Sequence, residues 1–152
     1  MQLTPGQIRE ILNLSPDTFR HWKASLPPLI GRNGHKPCFS HGDLFAMALI
    51  RALTEDAGVK VGALHAISAI LFEQSNKQSW AGLERSVLVL ELARVRVEFF
   101  PAPHAPLAEH IGIIVPCRPI IAELRASLLQ DVNDDGQESL RFAPTMVRGG
   151  VI

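Results

Sequence analysis

Apolar residues in the first quarter of the chain recur at helical spacing in two short bursts separated by a turn. Ile8, Ile11 and Leu12 form the first stripe. Thr4-Pro5-Gly6-Gln7 opens it with a Thr N-cap, a Pro at the first helical position and a Gln three residues past the cap. Asn13-Leu14-Ser15 makes the turn. Ser15-Pro16 then restarts a helix with the same chemistry, and Phe19 and Trp22, about one turn apart, mark its buried side. From Leu26 to Ser40 the helical period is lost among Pro27, Pro28, Gly31 and Pro37. Asn33-Gly34, both tolerant of positive φ, predicts a short hairpin, with Leu29 and Phe39 as inward residues of its two strands. Ser40-His41-Gly42-Asp43 predicts the capped start of a third helix, which carries Leu44, Phe45, Ala48, Leu49, Ala52 and Leu53 and ends near Gly58. A fourth, from about Val61, places Leu64, Ile67, Leu71 and Phe72 on one side.

Near Asn76 the pattern changes. Val87 and Val89, and the alternation Arg94-Val95-Arg96-Val97-Glu98-Phe99, predict strands. Pro101, Pro103 and Pro106 enforce a loop, Ile111 to Val115 reads as a short buried strand, and Pro119 to Gln130 as a helix with Ile120, Ile121, Leu124 and Leu128 inward. Asp131 to Ile152 has no period and reads as a flexible tail, in which Leu140, Phe142 and Met146 are candidates for docking on a partner. The predicted class is α+β: a winged helix-turn-helix of four helices and a hairpin wing over residues 1–75, a β-strand and helix dimerisation region over 76–130, and the tail over 131–152.

Composition narrows the picture. The 152 residues are enough for one real core, and no apolar run approaches a membrane span. The polar start lacks a signal-peptide layout, so a soluble cytoplasmic protein without membrane association is expected. Cys38 and Cys117 stand far apart in no paired spacing, which predicts ordinary reduced thiols, with no disulfide framework and no zinc site. Fifteen basic and fifteen acidic residues balance overall, but residues 1–40 hold five basic side chains against two acids, Glu10 and Asp17. A locally basic segment on a neutral chain suits a DNA-contacting module attached to an association region.

With Phe19 and Trp22 inward, helical rotation puts Asp17, Arg20, His21 and Ala24 on the outward face. Arg20 is suited to forking onto guanine or clamping a phosphate, and His21 to donating to either, while Ala24 lets the helix approach closely. Asp17 favours the helix start, but near DNA it must accept from a cytosine amino group or brace Arg20 or His21. Arg32, His35 and Lys36 surround the Asn33-Gly34 tip, as suits a wing on the sugar-phosphate backbone. The predicted DNA-contacting set is Ser15, Asp17, Thr18, Arg20, His21 and Lys23 on the helix, and Arg32, Asn33, His35 and Lys36 on the loop.

Leu14-Ser15-Pro16-Asp17-Thr18-Phe19-Arg20-His21-Trp22-Lys23, then Arg32-Asn33-Gly34-His35-Lys36, Phe39-Ser40, Asp43-Leu44 and Ala57-Gly58-Val59 leading into Val61 and Leu64, resemble the winged helix-turn-helix of MerR-type regulators. The resemblance covers about residues 3 to 72. It implies that Ser15 to Lys23 is the recognition helix, that Arg20 and His21 meet DNA, and that Arg32 to Lys36 is the wing. The chain departs from the family at His21, where a Tyr or similar ring is usual, and at Lys36-Pro37-Cys38-Phe39, where the wing pattern is loosened. The long pairing helix that follows the fourth helix in the family is not predicted, because the helical pattern fails near Asn76 to Gly82, and the metal-binding cysteine pairs are missing. Neither coiled-coil pairing nor metal sensing is implied here.

Catalysis is not expected. His104 and His110, near Glu109 and candidates for assembly with Cys117, straddle a proline-rich loop and match no metal spacing, His65 reads as a packed or half-exposed histidine, and no glycine loop cradles a phosphate. No cofactor and no metal are predicted. Strands with one apolar face and no partners to close a sheet predict homodimerisation, or a higher oligomer, through Val87, Val89, Val95, Val97, Phe99, Ile113 and Val115. The expected function is sequence-specific binding of double-stranded DNA by a transcriptional regulator acting as a dimer. Two alternatives stand beside it: a phage or mobile-element DNA-binding protein, either an excisionase or a small packaging subunit, and a protein-interaction adaptor on a winged-helix fold.

Overall fold

The computed structural model describes residues 2–104 and 109–140. The first helix, α1 (Pro5–Ile11), starts with a reciprocal cap. The Thr4 hydroxyl accepts from the Gln7 amide at 3.2 Å, and Gln7 Oε1 accepts from the Thr4 amide at 2.9 Å. Asn13, in a left-handed conformation at φ 50°, reverses the chain. Helix α2 (Pro16–Ser25) follows from the Ser15 cap, whose Oγ accepts from the Thr18 amide at 3.1 Å. Phe19 and Trp22 are both buried, which fixes the rotation of α2 on the body.

The hairpin expected between residues 26 and 40 is not formed. Pro27–Leu29 makes one 3-10 turn, and residues 31–36 then bend without any strand. A two-residue Asn-Gly hairpin turn needs positive φ at both central residues, and of the pair only Gly34 has it, at 93°. Pro27, Pro28 and Pro37 each lack an amide that a two-stranded ladder would use. Phe39 pairs instead with Leu3. The Leu3 amide donates to the Phe39 carbonyl at 2.8 Å, and the Cys38 amide to the Leu3 carbonyl at 2.9 Å. Leu29 and Phe39 are fully buried, as anchors of a loop and not as members of a ribbon.

Helix α3 (His41–Glu55) is buried on every side from Gly42 to Ile50, as befits the apolar helix at the centre of the fold. Gly58, at φ 67°, turns the chain after it. The fourth helix begins later than its apolar pattern, because Val61–Leu64 is a 3-10 turn and α4 proper runs His65–Asn76. A short helix that the pattern does not predict, α5 (Trp80–Glu84), is capped by Ser79 Oγ on the Gly82 amide at 3.0 Å.

Strands β1 (Ser86–Glu91), β2 (Arg96–Pro101) and β3 (Ile113–Pro116) form an antiparallel sheet in the order β2-β1-β3. Leu88 lies opposite Phe99 and Val115, and Leu90 opposite Val97 and Ile113, so these six side chains share the face that packs on the helical core. The strands therefore pair with one another around β1 within one chain, and β2 and β3 remain as the edges of the sheet. Val95 is not on a strand. It sits in the β1–β2 turn at φ 54°, where it is exposed. The predicted buried strand at 111–115 is an edge strand: Ile111 precedes it, 98% exposed, and Ile114 is 55% exposed, because β3 has only β1 beside it.

Helix α6 (Cys117–Leu140) starts two residues before the expected Pro119 and continues past Gln130, since extending a formed helix fixes only one residue per added hydrogen bond. Ile120, Ile121 and Leu124 are buried and Leu128 is partly so. The rest of the expected tail, with Phe142 and Met146, lies outside the described residues, as does Pro106. A single apolar cluster joins Phe19, Trp22 and Phe39 to Phe45 and Ile67, and on to Leu88, Leu90, Ile121 and Leu124. Phe45 meets Phe99 across it, ring centroids 6.2 Å apart. The composition shift near Asn76 marks no break in packing. The architecture is mixed α+β, and no helix among the described residues is long and apolar enough to cross a membrane.

Candidate nucleic-acid interface

Helix α2 presents the row expected of it: Asp17, Arg20, His21 and Ala24 are all exposed, opposite Phe19 and Trp22. Ser15 and Thr18 are exposed too, but their hydroxyls meet each other at 2.9 Å in the cap. Arg20 Nη1 donates to Asp17 Oδ1 at 3.1 Å, with side chains 77% and 88% exposed. Of the roles open to Asp17, bracing Arg20 is the one this geometry adopts. An exposed pair of this kind contributes at most about 1 kcal/mol, so Arg20 is held only loosely and can exchange Asp17 for another acceptor. Lys23 is half-buried, with Nζ 5.0 Å from the Phe19 ring centroid and donating to Asn33 Oδ1 at 3.2 Å. That bond joins the end of α2 to the tip of the loop.

The loop divides its cations. His35 and Lys36 are exposed, whereas Arg32, expected to hold the DNA backbone, is turned inward. Its Nη1 donates to Asp43 Oδ2 at 2.6 Å and to the Cys38 carbonyl at 3.2 Å, and its guanidinium lies 5.2 Å from the Phe39 ring centroid. Asp43 is 5% exposed and has every reason to keep this partner. It also accepts from the Ser40 amide at 3.0 Å and from Asn76 Nδ2 at 2.9 Å. Burial pushes the Asp43 carboxyl up, but the Ser40, Arg32 and Asn76 hydrogen bonds and the Arg32 charge together hold it below the ordinary carboxylate value. The node ties the loop to the start of α3 and the end of α4. Gly42 makes room for it, since a Cβ there would stand 2.6 Å from the Asn76 Cα.

One lysine that the sequence reading missed stands beside the outward face of α2. Lys60 and His21 line the same open groove, with Thr18, Thr54 and Glu55 on its walls. Its position after Gly58-Val59 gave no signal, because nothing local says that the chain returns beside α2.

The expected association residues do not form one surface. Val97, Phe99, Ile113 and Val115 face the helices, while Val87 and Val89 lie on the opposite face of β1, only 8% and 7% exposed. Elsewhere, His65 is exposed with Nδ1 2.9 Å from the Ser25 carbonyl. Cys38 and Cys117 are both free thiols, and burial pushes Cys117 up to about 12, so it stays protonated at neutral pH. Among the described residues no three His, Cys, Asp or Glu side chains stand together as metal ligands. Compared with known proteins, the chain matches no family model, no curated protein and no solved structure.

Proposed function

We propose that this chain is a sequence-specific regulator of transcription that binds double-stranded DNA as a homodimer, with α2 laid in the major groove. The observation that carries the reading is the outward row of α2. It is a capped helix, rotationally fixed by Phe19 and Trp22, that turns Arg20 and His21 to solvent and has a small Ala24 beside them. Arg20 reads a base edge, His21 and Lys60 flank it, and His35 and Lys36 hold phosphates from a loop that Lys23 and Asn33 bind to the same helix. The likeness of residues 3 to 72 to MerR-type regulators supports the same assignment of α2, with a bent loop in place of a hairpin wing. Dimerisation follows from the need to read two half-sites, and Ile111 and Ile114 at the β3 edge are exposed apolar side chains suited to that contact.

Anisotropy titrations on genomic fragments at two salt concentrations test this. Specific binding should weaken steeply with salt, and Arg20→Ala should cost about 1–3 kcal/mol at selected sequences. Absence of salt-sensitive binding to any duplex rules the DNA reading out. A protein-interaction adaptor is the second reading. It is favoured by one observation: the Asp17 carboxylate is 88% exposed at the start of the face that would meet phosphates.

A further inference from the structure

At the end of the sheet remote from the β1–β2 turn lies an open groove of about 780 Å³, between the end of α5, the ends of the strands and the first turn of α6. We propose that this groove binds a small organic carboxylate: an anion carried on an apolar body. Its walls include Val87, Pro103, Pro116 and Pro119. Proline carries no amide donor and little freedom, so these walls are apolar and already formed, and the charged recognition falls to the basic side chains of the lining. Those are Arg85 and Arg118, both exposed. Neither makes a side-chain hydrogen bond or ion pair among the described residues. Glu84, the carboxylate lining the groove, is already engaged, accepting from Arg125 Nη1 at 2.8 Å.

The result is an apolar concavity with two exposed arginines in its lining, and with the nearby acid already occupied by a third arginine. A guanidinium meets a carboxylate through two parallel hydrogen bonds, and apolar walls reward a ring or short chain behind that charge. The volume falls in the range of small-molecule sites. No residue of α2 or of the loop after it lines the groove, so the inference stands independently of DNA binding.

The test is a titration of the full chain with sodium benzoate, followed by the Val87 methyl and arginine Nε resonances. Sodium chloride at equal ionic strength, sodium acetate and benzyl alcohol serve as comparisons. Saturable shifts with benzoate are expected, with acetate and benzyl alcohol each about tenfold weaker or more and chloride without effect. Arg85→Ala and Arg118→Ala should each weaken benzoate about tenfold, and Arg94→Ala, an exposed arginine at the far end of the sheet, should leave it unchanged. Arg85→Lys and Arg118→Lys, which keep the charge and lose the fork, should fall between, and they serve as the readout if an alanine variant melts early. No saturation by about 30 mM benzoate, binding indifferent to both arginines, or acetate binding as well as benzoate would each overturn the proposal.

Discussion

Arg32 and Lys36 are four residues apart in one basic loop, yet the fold gives them opposite work. Arg32 is consumed by Asp43 and the Cys38 carbonyl, while Lys36 is exposed. Arg32→Ala should therefore lower stability by about 2–3 kcal/mol in chemical denaturation, through a buried carboxylate left short of a donor, with the salt slope of DNA binding little changed. Lys36→Ala should do the reverse: unchanged denaturation, and a salt slope smaller by about 1. The same node sets a pH dependence. The folded Asp43 carboxyl lies below its ordinary value of 3.8, so its contribution is fully present above that value and is lost as pH falls through the folded pKa. Denaturation of the wild type and Asp43→Asn across pH should show their largest gap near neutrality, shrinking in acid. A gap that widens in acid contradicts the assignment. None of this was legible in the sequence, because a basic residue in a turn reads as solvated until its acceptor is placed, and Asp43 announced itself only as a helix cap.

At the level of elements, what the sequence revealed is what local chemistry decides. The starts of α1, α2 and α3 follow from Thr4, Ser15 and Ser40 with their next few residues, and these caps form as read. The segment after α2 escaped because its outcome depends on Leu3, which takes the Phe39 hydrogen bonds that a hairpin would have used. Helix α5 is shorter than two turns, too short for an apolar period to show. The faces of the sheet were merged because β1 is buried on both, with Leu88 and Leu90 toward the helices and Val87 and Val89 away from them, so alternation is hidden where it matters most. The open edge of β3 carries the prediction at this scale. Sedimentation of the wild type at rising concentration should show a dimer, and Ile114→Lys should shift it to monomer while leaving the melt unchanged at dilutions where both are monomeric, since Ile114 is mostly solvent-facing within one chain. A wild type that stays monomeric removes the dimer from the proposal, and a dimeric variant moves the contact elsewhere.

For the whole molecule, the decisive fact is that one core serves both halves. A chain ending at Gln74 loses Leu83, Leu88, Leu90, Val97, Ile121 and Leu124 from the cluster that buries Phe45, and with them the Phe45–Phe99 contact. Such a chain should lose its cooperative thermal transition and its near-ultraviolet circular dichroism, although residues 1–75 read as a unit from sequence. A sharp melt from it would show that the N-terminal half folds alone. The arrangement also bears on how the proposed DNA-reading segment can vary. Because Leu3 and Phe39 are hydrogen-bonded side by side, everything between them leaves and re-enters the body at one point. A segment of different length, carrying a different outward row, can be spliced between those two positions without moving α3. The splice must keep the inward set of Ile8, Ile11, Leu12, Leu14, Phe19, Trp22, Leu26 and Leu29. Specificity in such a design is an exchangeable cassette, and insertions in it are absorbed at the surface while the register of the core stays fixed.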